Sequence, residues 1–480
     1  MHDVLRLLPS LRNLLRPVNK LPPEILSHVA RYILYEGRKK TLSIVPLTHV
    51  CRYWRESIVS TPENWTLIHC WHRKMAAVSL ERAKAAPLEI CVRMSMAMNY
   101  PTFHDILIRH FRNTKILAVE DISTFEGFTK MFPNFPQSMP NLRSLTLKLD
   151  NIEGWHPSVD PFEAVAHTLE DLKLFDIPLT PSLLTLGSLT ELALHDRRFN
   201  LPLDTLLNFL EENHSLTSAD LSIEFIAHPL RSSRRRSPMR NRLRYLRIWC
   251  ENVEDAQALI SNIPLQRGAN LKLQSYRKVL NDILSGISTT HLSNLLSPTF
   301  MSYLSCGSTL CLRGPNGVFS FYSAYIFERF TDFVELPLLP LTNVREFRLT
   351  LYGPAATDPL DPIVFHPSSF PALEALTILC NTIEGDTNSF RTLSPLLSNP
   401  SSSPSLKTLA FLNCNLSEGF MEELTRFASD RKNTTSAWLH RVLIVRRDGK
   451  FPSTDSVERL RRHVMIVDVW MDRKLPEDLI

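Results

Sequence analysis

The sequence predicts an α/β protein in which three short N-terminal helices precede a series of strand-helix repeats. Two patterns support this fold class: apolar residues at helical spacing between positions 21 and 58, and a leucine template that recurs from position 141 onward. The chain has 480 residues, of which 44% are hydrophobic, so it can form sizeable cores in more than one domain. We predict three parts: an N-terminal extension (1–20), a helical module (21–63) and a repeat domain (64–480).

The helical module begins with LPPEILSHVARYIL, in which Ile25, Val29 and Ile33 lie on one face of a predicted helix. The two prolines fit its first turn. A second helical piece passes through Val45, and a third carries Trp54. Helices this short bury little apolar surface by themselves, so their faces require either the next domain or another protein.

The repeat domain is defined by the template apolar-x-x-apolar-x-apolar. Its first positions in the N-terminal half are Leu142, Leu169, Leu189, Leu216 and Leu243. They are 27, 20, 27 and 27 residues apart, a period typical of leucine-rich repeats. The template returns at 343–351, 372–380 and 405–413, and helices are predicted at 204–214 and 253–261. One such unit cannot bury its own apolar face, so we expect an irregular leucine-rich-repeat solenoid.

Residues 264–342 interrupt this pattern and form an irregular middle segment. Within it, CLRGPNGVFSFYS predicts a β-hairpin with Asn316 and Gly317 at the turn, because Asn-Gly favours the tight turns of hairpins. The repeats therefore lie on both sides of a different local structure.

Two stretches of the helical module, LPPEILSHV and VPLTHVCRYWRESIVSTPENW, together resemble an F-box. In that family the module recruits a substrate receptor to a cullin-RING ubiquitin ligase, and STPENW is similar to the segment that follows the box in many fungal members. The resemblance implies binding to a Skp adaptor and, through it, to cullin and RING subunits. The adaptor-binding residues that it implies are Leu21, Pro22, Ile25, Leu26, Val45, Val50 and Trp54. The alternative is that the helices only cover the core of the next domain.

The repeat strands supply a candidate surface for a protein substrate. In a strand-lined solenoid, side chains between the template leucines point to the concave face. The substrate-binding residues predicted there are Lys148, Lys173, Phe175, His195, Arg247, Trp249 and Arg348. Aromatic anchors among Lys and Arg suit an acidic or phosphorylated partner. The alternative is that the irregular middle or the C-terminal tail covers these aromatic side chains.

Sequence signatures of catalysis and of cofactor binding are absent. With only 13 Gly, the chain contains no phosphate-binding loop, dinucleotide fingerprint, nucleophile elbow or HExxH motif. The most metal-like cluster is His69, Cys70 and His72, but alternation along a strand points the first two to opposite faces, which favours a packed strand end over a zinc site. We predict a non-catalytic protein without a cofactor, in which partner subunits transfer ubiquitin.

The net positive charge of the chain comes from one segment. Residues 231–244 contain seven Arg and no acid, whereas the whole chain carries only +5. A solvated loop is favoured over nucleic-acid binding, because the loop's interior has no aromatic side chain for base stacking. Ser237, which precedes a proline, is a candidate phosphorylation site that would partly cancel this charge.

Targeting signals and cysteine usage favour the cytoplasm or the nucleus. The eight cysteines show no C-x-x-C spacing, as expected in a reducing compartment. Arg6, Arg12 and Arg16 interrupt any secretory signal, and the longest uncharged stretch is too polar to span a membrane. Two functions are therefore compatible with the sequence: a substrate receptor of a ubiquitin ligase, and a leucine-rich scaffold or nucleic-acid-associated protein.

Overall fold

The computed structural model shows an α/β protein with parallel sheets, as the sequence predicts. It describes residues 16–36, 44–97, 101–132, 135, 139–150, 168–177, 186–196, 203–223, 243–250, 253–263, 268–275, 300–304, 309–314, 317–323, 341–351, 370–380, 393–399, 403–414, 416–434, 438–446 and 452–471. Of the Arg-rich segment, only Leu243 and Arg244 belong to these residues, so Ser237 and the rest of that segment lie outside them. The chain forms two compact units: 1–199 with 208–216, and 200–207 with 217–480.

The helices of the first unit begin with the three predicted ones. They are α1 (Pro23–Glu36), α2 (Ile44–Thr48), α3 (Arg52–Ser60), α4 (Arg73–Ala83), α5 (Met94–Ala97), α6 (Pro101–Ile108) and α7 (Phe125–Met131). Pro23 occupies the first turn of α1, where a missing N–H costs nothing. After α3, Pro62 opens a short 3-10 helix, Pro62–Trp65, that leads into the first strand. The helical module thus belongs to the first unit.

The strands of the first unit form one parallel ladder in chain order. They are β1 (Leu67–His69), β2 (Leu88–Arg93), β3 (Thr114–Ile122), β4 (Ser144–Leu149), β5 (Asp171–Phe175) and β6 (Glu191–Asp196). Each pairs in parallel with the next. Parallel neighbours need a crossover connection, and the segments between these strands supply it. Strands β4 to β6 lie within the predicted template segments.

The second unit continues the alternation of strands and helices. Helix α8 (Leu203–Glu212) is divided between the units, and it is followed by α9 (Val253–Asn262), α10 (Ser394–Ser398), α11 (Glu418–Thr434) and α12 (Thr454–Arg461). The strands are β7 (Ser218–Ile223), β8 (Tyr245–Cys250), β9 (Ala269–Ser275), β10 (Phe300–Leu304), β11 (Thr309–Gly314), β12 (Gly317–Ser323), β13 (Glu346–Leu351), β14 (Ala375–Cys380), β15 (Thr408–Leu412), β16 (Arg441–Arg446) and β17 (Ile466–Met471).

The irregular middle contributes strands to the sheet of the second unit. The spatial order is β7-β8-β9-β12-β11-β10-β13-β14-β15-β16-β17, and only β11 runs antiparallel to its neighbours. The predicted hairpin is confirmed as β11–β12. Its turn is shifted from the prediction, because Gly317 pairs with Gly314 and therefore belongs to the strand.

The template leucines lie in the cores of the two units, as predicted. The five leucines at the first template position of the N-terminal repeats are fully buried: Leu142, Leu169, Leu189, Leu216 and Leu243. Because strand side chains alternate, the residues between the core leucines of each strand form a second face of the sheet. This second face carries all seven residues that the sequence predicts to contact substrate.

Candidate functional site

The helical module has its own small core. Leu26 and Trp54 are buried in it, and the Trp54 indole Nε1 donates a hydrogen bond to Oδ1 of Asn19 over 2.7 Å. The Tyr53 hydroxyl donates to the carbonyl oxygen of Leu21 over 2.7 Å. These bonds fix the segment before α1 against α3. Two of the predicted adaptor-binding residues, Leu26 and Trp54, are therefore interior residues of the module.

Beside its buried face, α1 also carries exposed apolar residues. Ile25, Val29 and Tyr32 retain 44%, 36% and 63% of their accessible surface, respectively. Their spacing of four and three residues places them in one stripe along the helix, which we call the α1 stripe. Val50, just before α3, is 52% exposed. Helix α1 is thus apolar on two sides, of which only one is used in folding.

The predicted adaptor-binding residues accordingly divide into three groups. Pro22, Ile25 and Val50 are exposed and available to a partner. Leu21 and Val45 are half-buried, and the remaining two are the core residues. Sequence patterns cannot make this division, because an apolar residue that faces a partner and one that faces the module's own core have the same chemistry.

On the second face of the first unit, three of the predicted substrate-binding residues form one row. Lys148, Phe175 and His195 are paired across the adjacent strands β4, β5 and β6. The rings of Phe175 and His195 stack with centroids 4.8 Å apart and an interplanar angle of 19°. Lys148 is exposed beside them, whereas both rings are half-buried. We call these three residues the Lys148 row.

Lys173, the fourth predicted residue of this face, is neutralised by its neighbours. Its Nζ lies 3.1 Å from Oδ2 of Asp171 and 3.9 Å from a carboxylate oxygen of Glu191. The Ser144 hydroxyl also donates to Asp171, over 2.8 Å. These are cross-strand ion pairs, which stabilise a sheet and reduce the positive charge offered to a partner. The positive charge of Lys173 is therefore already paired within the sheet of the free protein.

Arg247 and Trp249 form a similarly self-contained cluster in the second unit. The Arg247 guanidinium lies 4.6 Å from the centroid of the Trp249 ring and donates to Asp220 over 3.3 Å and to Gln274 over 3.0 Å. This arrangement combines a cation–π contact with cross-strand hydrogen bonds. Arg348 lies farther along the sheet, in β13, and is half-buried. The seven predicted residues are thus distributed over both units, four in the first and three in the second.

The second face becomes apolar toward the C-terminal strands. Ala410, Leu412, Leu443 and Val445 of β15 and β16 form a buried cluster there, with Leu379 packed against it. Strands buried on both faces lose the alternation of apolar and polar residues. The second face is therefore not a uniform polar surface along the second unit.

The residues of the predicted metal-like cluster, His69, Cys70 and His72, lie at the end of β1 and directly after it. His69 and Cys70 are buried, and burial lowers the pKa of the His69 imidazole below its usual range; the ring lies 4.4 Å from Trp71. His72 is exposed. Within the described part of the chain, no three His, Cys, Asp or Glu side chains are grouped so that they could hold a metal ion.

One cavity in the first unit has no counterpart in the sequence predictions. It has a volume of about 270 Å³, and charged side chains of both signs line it, including Arg31, Glu63, Glu89 and Lys115. These residues come from four separate segments, so no local sequence motif predicts the cavity.

Among the described helices, none is long and apolar enough to cross a membrane.

Comparison with protein-family models and with curated proteins finds no match to this chain.

Proposed function

We propose that this protein is the substrate-recognition subunit of a cullin-RING ubiquitin ligase of the SCF type. The helical module would bind the Skp adaptor, and the repeat region would bind a protein substrate in the cytoplasm or nucleus. In this role the chain itself is not catalytic, since the partner subunits perform ubiquitin transfer.

The observation that carries the proposal is the α1 stripe. A helix that packs into a domain normally exposes polar residues on its other side. Here Ile25 and Val29 are exposed although Leu26 and Ala30 already supply the buried face. Exposed apolar residues next to each other favour a protein interface. The F-box resemblance specifies the partner, because the Leu-Pro-Pro opening and the apolar helix belong to the segment that contacts the adaptor in that family.

The adaptor test uses surface residues, so that folding and binding can be separated. Replacing Ile25 and Val50 together by Asp should weaken binding to a purified Skp adaptor roughly 100-fold, because a buried carboxylate lacks a partner at an apolar interface. Isothermal titration calorimetry measures the affinity, and circular dichroism checks that the helices persist. Val78→Asp is the matched control, because Val78 is 37% exposed on α4, away from the stripe.

Two results would contradict the adaptor proposal. One is a wild-type chain that does not bind the adaptor at micromolar concentration. The other is a folded double variant whose affinity equals that of the Val78→Asp control. Either result would favour a scaffold without a link to ubiquitination.

For the substrate, we propose the Lys148 row as the binding surface of the first unit. Lys148 is exposed and makes no ion pair in the part of the chain that the structure describes, in contrast to Lys173. A flat aromatic pair beside an available cation suits a protein segment with an apolar side chain next to a carboxylate or phosphate. This row therefore supplies the chemistry that the neutralised Lys173 and Arg247 do not.

Replacing Lys148 by Glu and Phe175 by Ala should lower the recovery of substrate proteins by roughly tenfold, the loss expected when an interface loses its anchors. The measurement is quantitative mass spectrometry of proteins that co-purify from cells with inhibited proteasomes, with the adaptor as internal reference. The matched control is Arg109→Glu with Ile106→Ala, a charge reversal and an apolar truncation at exposed positions around α6. If no protein is lost selectively while the adaptor is retained, the assignment of the row is wrong.

A further inference from the structure

Two buried cysteines of the second unit face each other across neighbouring strands. Cys380 is the last residue of β14, and Cys414 follows β15 directly after Asn413. The strands are parallel neighbours in which Leu379 pairs with Leu412. This register brings together two side chains 34 positions apart in the sequence, and their sulfur atoms are 3.1 Å apart.

The backbone around the two sulfurs is held in place by hydrogen bonds. Asn413 adopts a positive φ of 56°, its Nδ2 donates to the carbonyl oxygen of Cys380 over 2.9 Å, and its N–H donates to the carbonyl oxygen of Val445. A disulfide requires neighbouring backbones and converging side chains, and a pair that must move its backbone to bond is strained. Here both conditions are already met by the fold.

The two thiols have different environments. Cys414 is fully buried, which raises the pKa of its thiol, whereas Cys380 keeps 7% of its surface. The hydrogen bond between the two sulfur atoms lowers the pKa of the Cys380 thiol. A thiolate is the attacking species in thiol–disulfide exchange. Cys380 is the more accessible of the two thiols, which makes it the candidate for the residue that reacts first and Cys414 the candidate for the residue that resolves the intermediate.

We propose that Cys380 and Cys414 form a reversible disulfide by exchange with a low-molecular-weight disulfide such as glutathione disulfide. The Cys380 thiolate attacks one sulfur of glutathione disulfide, and one glutathione thiolate leaves. Cys414 then loses its proton and attacks the Cys380 sulfur, which releases the second glutathione thiolate. Two protein thiols are oxidised, and one glutathione disulfide is reduced to two glutathione molecules. This inference does not depend on the proposed ligase function.

The bond would join β14 to β15 next to the apolar cluster of the second face. Leu412 of that cluster lies two residues before Cys414, and Leu379 lies one residue before Cys380. A cross-link between these strands restricts the unfolded chain and opposes separation of the two repeats. The oxidised second unit is therefore expected to melt several degrees higher than the reduced one.

The experiment exposes the folded full chain to glutathione redox buffers of increasing oxidised fraction, followed by acid quenching and alkylation of free thiols. After tryptic digestion, mass spectrometry should detect peptide 349–391 linked to peptide 408–426, which contain Cys380 and Cys414. Reduction should reverse the link. Cys414→Ser should leave Cys380 as a mixed disulfide with glutathione, because the resolving thiol is missing.

Cys70 and Cys91 are the internal control. Cys70 directly follows β1, and its N–H donates to the carbonyl oxygen of Cys91 on the neighbouring strand β2, but burial strongly raises the pKa of the Cys70 thiol. Under the same conditions, Cys70 and Cys91 should remain free thiols and should therefore be recovered in alkylated form. The proposal is overturned if the 380–414 link is absent while the protein remains folded, if it forms only in denaturant, or if Cys70 and Cys91 link equally fast.

Discussion

Replacing Arg431 by Met is expected to lower the free energy of unfolding of the second unit by about 3–5 kcal/mol. Arg431 is completely buried in α11, and its guanidinium donates hydrogen bonds to three backbone carbonyl oxygens, of Ser403, Pro404 and Leu406, over 2.7, 3.3 and 2.9 Å. These carbonyls belong to the segment that leads into β15. Methionine fills a similar volume but donates nothing, so the buried carbonyls lose these donors.

Denaturant unfolding of the variant and of the wild type measures this loss. Arg426→Met is the matched control, since Arg426 is exposed on the same helix and should change the unfolding midpoint little. The unfolding midpoint of Arg431→Lys should lie between those of Arg431→Met and Arg426→Met. The reason is that an ammonium group keeps the charge but lacks the planar fork that reaches several acceptors. A midpoint for Arg431→Met equal to that of Arg426→Met would show that the three bonds do not stabilise the unit.

Trp54→Ala is expected to destabilise the helical module by about 3–5 kcal/mol, the range for truncating a buried tryptophan. The indole is buried, and its hydrogen bond to Asn19 attaches the segment before α1 to α3. Since the module is small, this loss is large compared with its total stability. We therefore expect local unfolding of α1 to α3 and, as a consequence, loss of adaptor binding.

Hydrogen exchange measured by mass spectrometry can detect this local unfolding. Peptides from α1 and α3 should lose protection, whereas peptides from β14 to β16 should keep it. Trp438→Ala is the control, because Trp438 is 52% exposed in the second unit. Retained protection in α1 and α3 would contradict the core assignment of Trp54. Trp54→Ala tests the folding of the module, whereas the Ile25/Val50 double variant tests recognition of a partner. The apolar pattern of the sequence does not distinguish these two roles.

Hydrophobic periodicity predicts much of the fold. The template segments contain β4 to β8 and β13 to β15, and the predicted helices correspond to α1 to α3, α8 and α9. Strand β3 was missed because Lys115 and Glu120 interrupt its apolar pattern. Strand β16 was missed because it is apolar on both faces and shows no alternation. Local pattern thus predicts strands with one polar face better than strands covered on both sides.

The candidate site is less predictable, because it depends on partners distant in the sequence. The sequence alone predicts that the positive charge of Lys173 is available to a partner, but Glu191 of the neighbouring strand lies beside it. Cys380 and Cys414 have no recognisable spacing, and only the parallel register brings them together. Arg431 looks like part of a solvated helix face, although the loop before β15 buries it. Each of these properties is created by contacts between segments that are distant in the sequence.

The three-strand insertion β10–β12 has a topological consequence for the second unit. Strand β12 is parallel to β9, β10 is parallel to β13, and only the middle strand is reversed. An odd number of strands joined by reversals restores the original direction, whereas two would have inverted it. The polarity of the sheet is therefore the same before and after the insertion. As a result, the C-terminal ends of β9 and β13 lie at the same edge of the sheet, and removal of the three strands would leave β9 and β13 with the same direction.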